Sequence, residues 1–239
     1  MQPTFGILPD HLIRAAQARG DIEIDPFNPA HVNPVSYDLT LGDELMIYKR
    51  WVHYDETYES RGPMGLAASR ADAAGARNGS DFHRTDTFLD VRDEPETVKF
   101  RINPERGWIL KPGIGYLMHT RERVHTKKYV PVLDGKSSIG RLFMVVHVTA
   151  GYGDPGFNGQ YTLEVVVTHP LRIYPGMKIA QMRFHTIASL ADEQTVGGVE
   201  RLYAGNYVGD AARGPVASKA YRQFLESGLE DEVTKKGTR

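Results

Sequence analysis

The chain has 239 residues, which is enough for one large domain or two small ones around a substantial core. Its formal net charge of -1 provides no global positive field for nucleic acid, and its hydrophobic content of 41% is ordinary for a soluble globular protein. Zero cysteines exclude disulfides, thiolate nucleophiles and cysteine-ligated zinc. No run of about 18 apolar residues and no leader-like segment is present, so we predict a cytoplasmic protein without membrane or nucleic-acid partners.

The N-terminal region predicts one helix followed by strands. Apolar residues recur at helical spacing in LPDHLIRAAQARG and stop at Gly20, which predicts a helix over residues 9–19. The stretch VNPVSYDLTLGDELMIYKR then alternates and is interrupted at Gly42, as two strands joined by a turn would be. Residues 52–97 are rich in alanine, glycine and arginine without a sustained period, and we predict that they form a long insertion.

From Val98 onward the sequence consists mainly of short strand-like segments separated by glycine, proline, aspartate or asparagine. Many short strands without helices between them favour an antiparallel barrel or sandwich over a parallel α/β sheet. The segments are VKFRINP, GWILKPG, GYLMHTRERV, RLFMVVHVTA, QYTLEVVVTHP, LRIYPG and MKIAQMRFHTI. Near the C-terminus, a second helix is predicted over residues 217–230, because Ala220, Phe224 and Leu229 fall on one helical face.

Two carboxylates in the stretch HVTAGYGDPGFNGQYTLEV allow more than one interpretation. Strand alternation places Glu164 on the face opposite Leu163 and Val165, where it is either a solvated surface residue or a functional carboxylate. Asp154 precedes Pro155 and a glycine, so it is either a turn former or a second functional carboxylate. Spacing alone leaves both questions open.

The stretch DGKSSIGRL predicts a small anion site. If it forms a helical turn, Ser137 and Arg141 lie one turn apart on the same face. The free backbone N–H groups of the turn and the charge of Lys136 would then attract an anion. The alternative is a serine that only caps a turn beside a surface arginine.

Taken together, DGKSSIGRLFMVVHVTAGYGDPGFNGQYTLEV resembles the signature of the dCTP deaminase branch of the trimeric dUTPase superfamily. The blocks PFNPAHVNPVSYDLTLGDEL, LKPGIGYLMHTRERV and LRIYPGMKIAQMRF extend this resemblance over residues 7–50 and 98–187. It implies a mainly β fold, a distorted jelly-roll-like β-barrel with short N-terminal and C-terminal helices. It also implies a single domain over residues 1–239, a C-terminal lid segment and helix over 203–239, and a homotrimer with sites between subunits.

The resemblance further implies residue roles in a hydrolytic deamination of dCTP to dUTP and ammonia. Glu164 matches the general base, Ser137 and the Ala150 carbonyl match the groups that orient the water, and Arg141 matches the residue that stabilises charge at the reacting centre. The substrate-binding residues implied are Lys136, Ser138, Asp154, Tyr203 and Ser218. Mg²⁺ is expected to bind through the substrate triphosphate, and no catalytic zinc is expected.

Two other functions stay open beside the dUTP-releasing deaminase. One is a bifunctional dCTP deaminase and dUTP diphosphatase that forms dUMP, or a plain dUTPase; the other is a non-catalytic nucleotide sensor. Gly151 after Ala150 resembles the bifunctional enzymes and is expected to leave room near the sugar, whereas Leu202 replaces a lysine that is usual in the family lid. We expect dUTP release on the strength of that altered lid, and whether dTTP acts as an inhibitor stays open.

Overall fold

The structure, a computed structural model, describes residues 6–48, 89–187, 202–205, 207 and 214–226. The chain divides into two compact units, Met1–Met46 with Lys99–Val216, and Ile47–Val98 with Ala217–Arg239. Residues 52–88 of the predicted insertion, together with residues 49–51 before it, lie outside the described residues. The predictions of a single domain and of an insertion therefore stay predictions.

Three α-helices, one short 3-10 helix at Pro29–His31 and eleven strands are found in the described residues, in an order dominated by strands after α1. The helices are α1 Asp10–Arg19, α2 Ser137–Gly140 and α3 Arg222–Glu226. The strands are β1 Ile22–Asp25, β2 Val32–Asn33, β3 Ser36–Tyr48, β4 Thr97–Arg101, β5 Trp108–Leu110, β6 Tyr116–Thr126, β7 Tyr129–Gly135, β8 Met144–Val145, β9 Asn158–Val167, β10 Leu171–Ile173 and β11 Lys178–Thr186.

One large sheet forms the barrel-like body. Its strands follow the order β7-β11-β3-β6-β9-β8, with β1 added to β6 and with β2 and β4 added to β3. β5 and β10 form a separate antiparallel pair. Alternate side chains of the central strands, such as Leu39, Leu163 and Val165, are fully buried and form the core. The predicted fold class, a mainly β, distorted jelly-roll-like barrel, is confirmed.

Helix α1 confirms the prediction over residues 9–19. It begins after Pro9 and ends before Gly20, whose φ of 74° is a left-handed conformation that glycine adopts without a Cβ clash. Ile13 and Ala16 are buried on its inner face. In the described residues, no helix is long and apolar enough to cross a membrane.

The predicted turn at Gly42 is wrong. Strand β3 continues through this residue, and its register against β6 shifts between Leu41 and Leu45. A Cβ on Gly42 would lie 2.0 Å from the ring of His119, which is buried on β6. The glycine therefore marks a bulge that admits a neighbouring ring rather than a chain reversal.

Several other elements differ from their prediction. β7 was not expected from the pattern, because Pro131 interrupts it; the strand lies at one end of the sheet order, where a missing N–H is tolerated. Only Met144–Val145 of the segment RLFMVVHVTA is a strand. In the second unit, the helix expected over residues 217–230 is described as Arg222–Glu226, and residues beyond 226 lie outside the described part.

Candidate active site

Strand β7 leads directly into the turn that carries the predicted anion-binding residues. Lys136 is the residue before α2, and the N–H of Arg141 donates to the Ser137 carbonyl at 3.1 Å. This confirms the predicted helical turn with Ser137 and Arg141 one turn apart. Ser137, Ser138 and Arg141 are exposed, whereas Ile139 is buried and packs the turn against the barrel.

The ammonium group of Lys136 is directed to a buried carboxylate on β3. Lys136 Nζ pairs with Asp38 Oδ1, Lys178 Nζ lies 3.0 Å from Asp38 Oδ2, and Asn33 Nδ2 donates to Oδ1 at 2.8 Å. Burial opposes ionisation of Asp38, but these hydrogen bonds outweigh it and hold the pKa of the carboxyl below its ordinary value. Sequence reasoning missed Asp38 and Lys178; the only signal was an aspartate inside the apolar run VSYDLTL.

Glu164 lies half-buried on β9, as its alternation predicts. Leu163 and Val165 on the opposite face are fully buried. Glu164 Oε2 accepts a hydrogen bond from the Val148 N–H at 2.9 Å. The carboxylate therefore attaches the loop that contains Ala150 to the strand, while it keeps contact with solvent.

The loop between β8 and β9 is held against β7 by backbone hydrogen bonds. The Leu133 N–H donates to the Gly151 carbonyl at 2.6 Å, and the Gly153 N–H donates to the Pro131 carbonyl at 2.8 Å. A Cβ on Gly151 would lie 2.5 Å from the Leu133 carbonyl oxygen and 3.0 Å from the His147 ring. The expectation that Gly151 leaves free room is therefore wrong, because β7 and His147 occupy that space.

Asp154 begins a tight turn on the same loop. The Phe157 N–H donates to the Asp154 carbonyl at 3.2 Å, and Gly156 has a φ of 96°. Pro155 followed by a glycine with positive φ is typical of a type II turn. The Asp154 side chain is exposed. Burial of the Tyr161 hydroxyl raises its pKa, and the negative charge of Asp154 raises that pKa further. The turn reading is thus correct for the backbone, and the carboxylate is still accessible.

The segment around Tyr203 packs on this turn. The Tyr203 N–H donates to the Pro155 carbonyl at 2.8 Å, and the Tyr203 and Phe157 rings meet edge to face with centroids 5.7 Å apart. A Cβ on Gly156 would lie 2.8 Å from Leu202 Cβ. Leu202 therefore holds the segment in place by close packing.

Farther along, the chain follows the Glu164 face of β9. The Gly214 N–H donates to Gln160 Oε1 at 2.6 Å, and the Val216 N–H donates to Thr162 Oγ1 at 3.1 Å. By strand alternation, Gln160 and Thr162 lie on the side of β9 that carries Glu164. Ser218 belongs to the second unit, where its N–H donates to the Tyr48 hydroxyl at 3.2 Å.

The predicted residues of the first unit fall into two groups according to the elements that carry them. The turn group contains Lys136, Ser137, Ser138 and Arg141, and the loop group contains Ala150, Asp154, Glu164 and Tyr203. β7 connects them, because it enters the turn and bonds the loop through Gly151 and Gly153. Within the described part of the chain, no hydrogen bond or ion pair joins Ser137 or Arg141 to Glu164.

Large apolar side chains are exposed around both groups. Phe143 is 64% exposed and has a φ of 52°, a conformation that is rare and strained for a residue other than glycine. The exposed apolar residues in this area are Leu142, Phe143, Val145, Val148, Tyr152 and Val166. Such a cluster on a folded chain is typical of a contact surface for another protein molecule.

A metal site would need several ligating side chains close together in the described ranges of the chain. These ranges contain no group of three or more histidine, cysteine, aspartate or glutamate residues that could hold an ion. The expectations of a substrate-bound Mg²⁺ and of chemistry without zinc stay predictions.

Comparison with known proteins gives a consistent family. A model of the dCTP deaminase-like family matches residues 7–67 and 70–187, which includes most of the segment predicted as an insertion. The protein named "dCTP deaminase, dUMP-forming" of Clostridium acetobutylicum is 35% identical over 205 residues, which cover 86% of this chain and 91% of that protein. The protein of the same name from Leptospira biflexa is 36% identical over 204 residues, covering 85% and 90% of the two chains.

A solved structure supports the fold alone. The crystal structure of 2'-deoxycytidine 5'-triphosphate deaminase from Agrobacterium tumefaciens matches with a TM-score of 0.50 and 22% identity. The match covers 80% of this chain and 51% of that chain, so this chain spans about half the length of that structure.

The names of the curated relatives correct the expectation of dUTP release, because they describe enzymes that form dUMP. The structure removes the main argument for that expectation. Leu202 does not detach the C-terminal segment, since it packs against Gly156 at the Asp154 turn.

Proposed function

The chain belongs to the dCTP deaminase-like family, and we propose that it is a bifunctional enzyme that converts dCTP to dUMP, ammonia and pyrophosphate. The observation that carries this proposal is the presence of two accessible carboxylates in different surroundings. Glu164 is half-buried and bound to the loop backbone, whereas Asp154 is exposed on a fixed turn. Two hydrolytic reactions at different atoms need two activated water molecules, and each carboxylate serves one of them.

Deamination is assigned to Glu164. The Val148 N–H occupies Oε2, so Oε1 accepts a proton from the water that attacks C4 of cytosine. The same carboxyl group then delivers the proton to the departing ammonia. The Ser137 hydroxyl and the Ala150 carbonyl orient the water, and Arg141 stabilises the charge that develops on the ring.

Phosphate hydrolysis is assigned to Asp154. The carboxylate activates a second water in line with the bond between the α-phosphorus and the pyrophosphate leaving group. The substrate carries Mg²⁺ on its triphosphate, and Lys136 and Ser138 contact phosphate oxygens. Tyr203 packs beside the turn that presents Asp154, which restricts access of bulk water to this position.

The active assembly is a homotrimer with sites between subunits. Two observations support it: the turn group and the loop group do not bond to each other in the described chain, and exposed apolar residues surround both. A neighbouring copy would cover the apolar side chains and bring its own turn to the Glu164 loop. Such a heterologous contact closes into a ring, here with threefold symmetry. Sedimentation should give three times the chain mass, and a fully active monomer would contradict the assembly.

A single incubation tests the proposed reaction. Purified protein receives dCTP with Mg²⁺, and ammonia, dUTP, dUMP and pyrophosphate are measured from the first turnovers. We expect ammonia, dUMP and pyrophosphate in equal amounts. Ammonia with accumulating dUTP and no pyrophosphate would overturn the bifunctional assignment, and no ammonia at all would overturn the deaminase.

A further inference from the structure

We propose that Asp38, a buried residue on β3, is a positioning residue for deamination that acts through Lys136 on the turn bearing Ser137 and Arg141. The inference rests on the proposed function, because it assigns Asp38 to the same site. The hydrogen bonds and ion pairs of Asp38 go to Asn33, Lys136 and Lys178, and its effect is transmitted by the lysine that precedes the turn.

The geometry shows how strongly this carboxylate is held. Strand β11 lies between β3 and β7 in the sheet, so Lys136, at the end of β7, extends across β11 to reach Asp38. The Asp38 side chain is 3% exposed and the Lys136 side chain 19% exposed. A buried carboxylate is stable only with its donors in place, so the pair fixes the position of Lys136.

Fixing Lys136 fixes the turn. The Lys136 carbonyl accepts hydrogen bonds from the Ile139 N–H at 3.0 Å and from the Gly140 N–H at 2.8 Å. A helical segment as short as α2 has almost no stability of its own, because helix nucleation is unfavourable. The orientation of the Ser137 hydroxyl therefore depends on the anchor at Lys136.

The charge balance gives this role a specific signature. Lys136 and Lys178 share one carboxylate, which leaves one net positive charge beside the turn proposed to bind the triphosphate. Replacing Asp38 by asparagine leaves the two ammonium groups without an anion. Their repulsion displaces Lys136 and the turn, while the positive charge available to the substrate increases. Turnover should therefore fall without a loss of substrate affinity.

The test compares Asp38→Asn with a matched control, Asp21→Asn. Asp21 also binds two cations, Lys128 at 2.5 Å and Arg19 at 2.8 Å, and its side chain is 13% exposed. We expect Asp38→Asn to lower kcat for ammonia release about 10-fold or more, with KM unchanged or reduced, because small displacements of an orienting group are costly. Asp21→Asn should keep both constants within about 2-fold. Equal kinetic effects in the two variants would overturn the inference.

A double variant tests whether Asp38 acts through Lys136. Lys136→Met leaves Asp38 paired with Lys178, so this variant is expected to fold even if Asp38→Asn does not. Adding Asp38→Asn to Lys136→Met should cause no further loss of kcat, because both changes remove the same anchor. Losses that multiply would show that Asp38 acts by another route and would overturn the inference.

Hydrogen exchange provides a readout that does not depend on dCTP turnover. The amides of Ile139, Gly140 and Arg141 should exchange faster in Asp38→Asn and in Lys136→Met than in the wild type or in Asp21→Asn. Unchanged exchange at these amides would overturn the anchoring, even in an active enzyme. Faster exchange in these two variants, together with a wild-type protein that releases no ammonia, would instead refute the proposed reaction and leave the anchor established.

Discussion

The turn at Ser137 and the loop before Glu164 carry candidate catalytic groups, yet they are held by different forces. A buried ion pair between Lys136 and Asp38 holds the turn. Backbone hydrogen bonds at Gly151 and Gly153, where side chains would collide with β7, hold the loop. An anchor made of charges responds to pH and to charge-removing substitutions, whereas an anchor made of close backbone contact responds to added volume.

The largest effect is expected from Glu164→Gln, which removes the proposed base without releasing the loop from the strand. In Glu164→Gln the amide oxygen still accepts the Val148 N–H, so the loop keeps its attachment, but the base is lost. We expect ammonia release to fall by about 10²–10⁴-fold while nucleotide binding and stability change little. Glu23→Gln, the same change at an exposed position of strand β1, should leave activity unaltered. Retention of more than about a tenth of the rate would rule out Glu164 as the base.

The next prediction distinguishes the role of Asp154 from that of Glu164. Asparagine also forms turns, so Asp154→Asn should preserve the backbone bend and remove only the charge. We expect pyrophosphate release to fall by about 10²-fold or more, with ammonia release reduced much less, so that dUTP becomes the product. The ratio of ammonia to pyrophosphate measures the change. A parallel loss of both products would mean that Asp154 serves substrate binding alone.

A smaller effect tests the anchor made of backbone contact. Gly151→Ala places a methyl group 2.5 Å from the Leu133 carbonyl oxygen, so we expect the free energy of unfolding to fall by about 1–3 kcal/mol. Gly140→Ala in the turn meets nothing within 4 Å and serves as the control, with a change within about 1 kcal/mol. Urea unfolding followed by tryptophan fluorescence measures both. Equal free energies of unfolding for Gly151→Ala and Gly140→Ala would show that the loop accommodates the added methyl group without a loss of stability.

The smallest effect tests the anchor made of charge. The pKa of Asp38 is depressed in the folded protein, so its contribution to stability is complete above the ordinary aspartate pKa of about 3.9 and is lost as pH falls through the lower folded value. The stability difference between the wild type and Asp38→Asn should therefore shrink below about pH 4, by at most about 1.4 kcal/mol per pH unit.

The corresponding difference for Gly151→Ala should stay constant over the same pH range, because no charge is removed at that site. Urea titrations at a series of pH values measure both differences. A pH-independent difference for Asp38→Asn would contradict an anchor made of charge.

Local sequence patterns predicted the structural features that depend only on residues a few positions apart. The alternation around Glu164 and the one-turn spacing of Ser137 and Arg141 were both confirmed, because strand and helix periods act over a few residues. The anchor of the turn was not predictable in this way, since Asp38 and Lys136 are 98 positions apart. The argument for dUTP release failed for a related reason, because the packing of Leu202 on Gly156 depends on the tertiary fold and not on the local sequence.

The turn predicted at Gly42 failed for the same reason. A glycine inside an alternating pattern has the same appearance whether it reverses the chain or makes way for a ring. Here the ring belongs to His119 on a neighbouring strand, and only the tertiary pairing reveals it.

At Gly214 and Val216 the C-terminal segment is attached to β9 through its backbone, so its position there depends little on its own side chains. Its bonds run from backbone N–H groups of the segment to side chains of the strand, Gln160 and Thr162. Every residue except proline offers a backbone N–H, so the information that places the segment resides in the strand. Gly214 is the exception, because its φ of 79° and the nearby Glu44 carboxylate require a glycine. At Pro215 and Val216, substitutions can therefore accumulate while the chain stays on the strand that carries Glu164; Leu202 and Tyr203, by contrast, contact the Asp154 turn through their side chains.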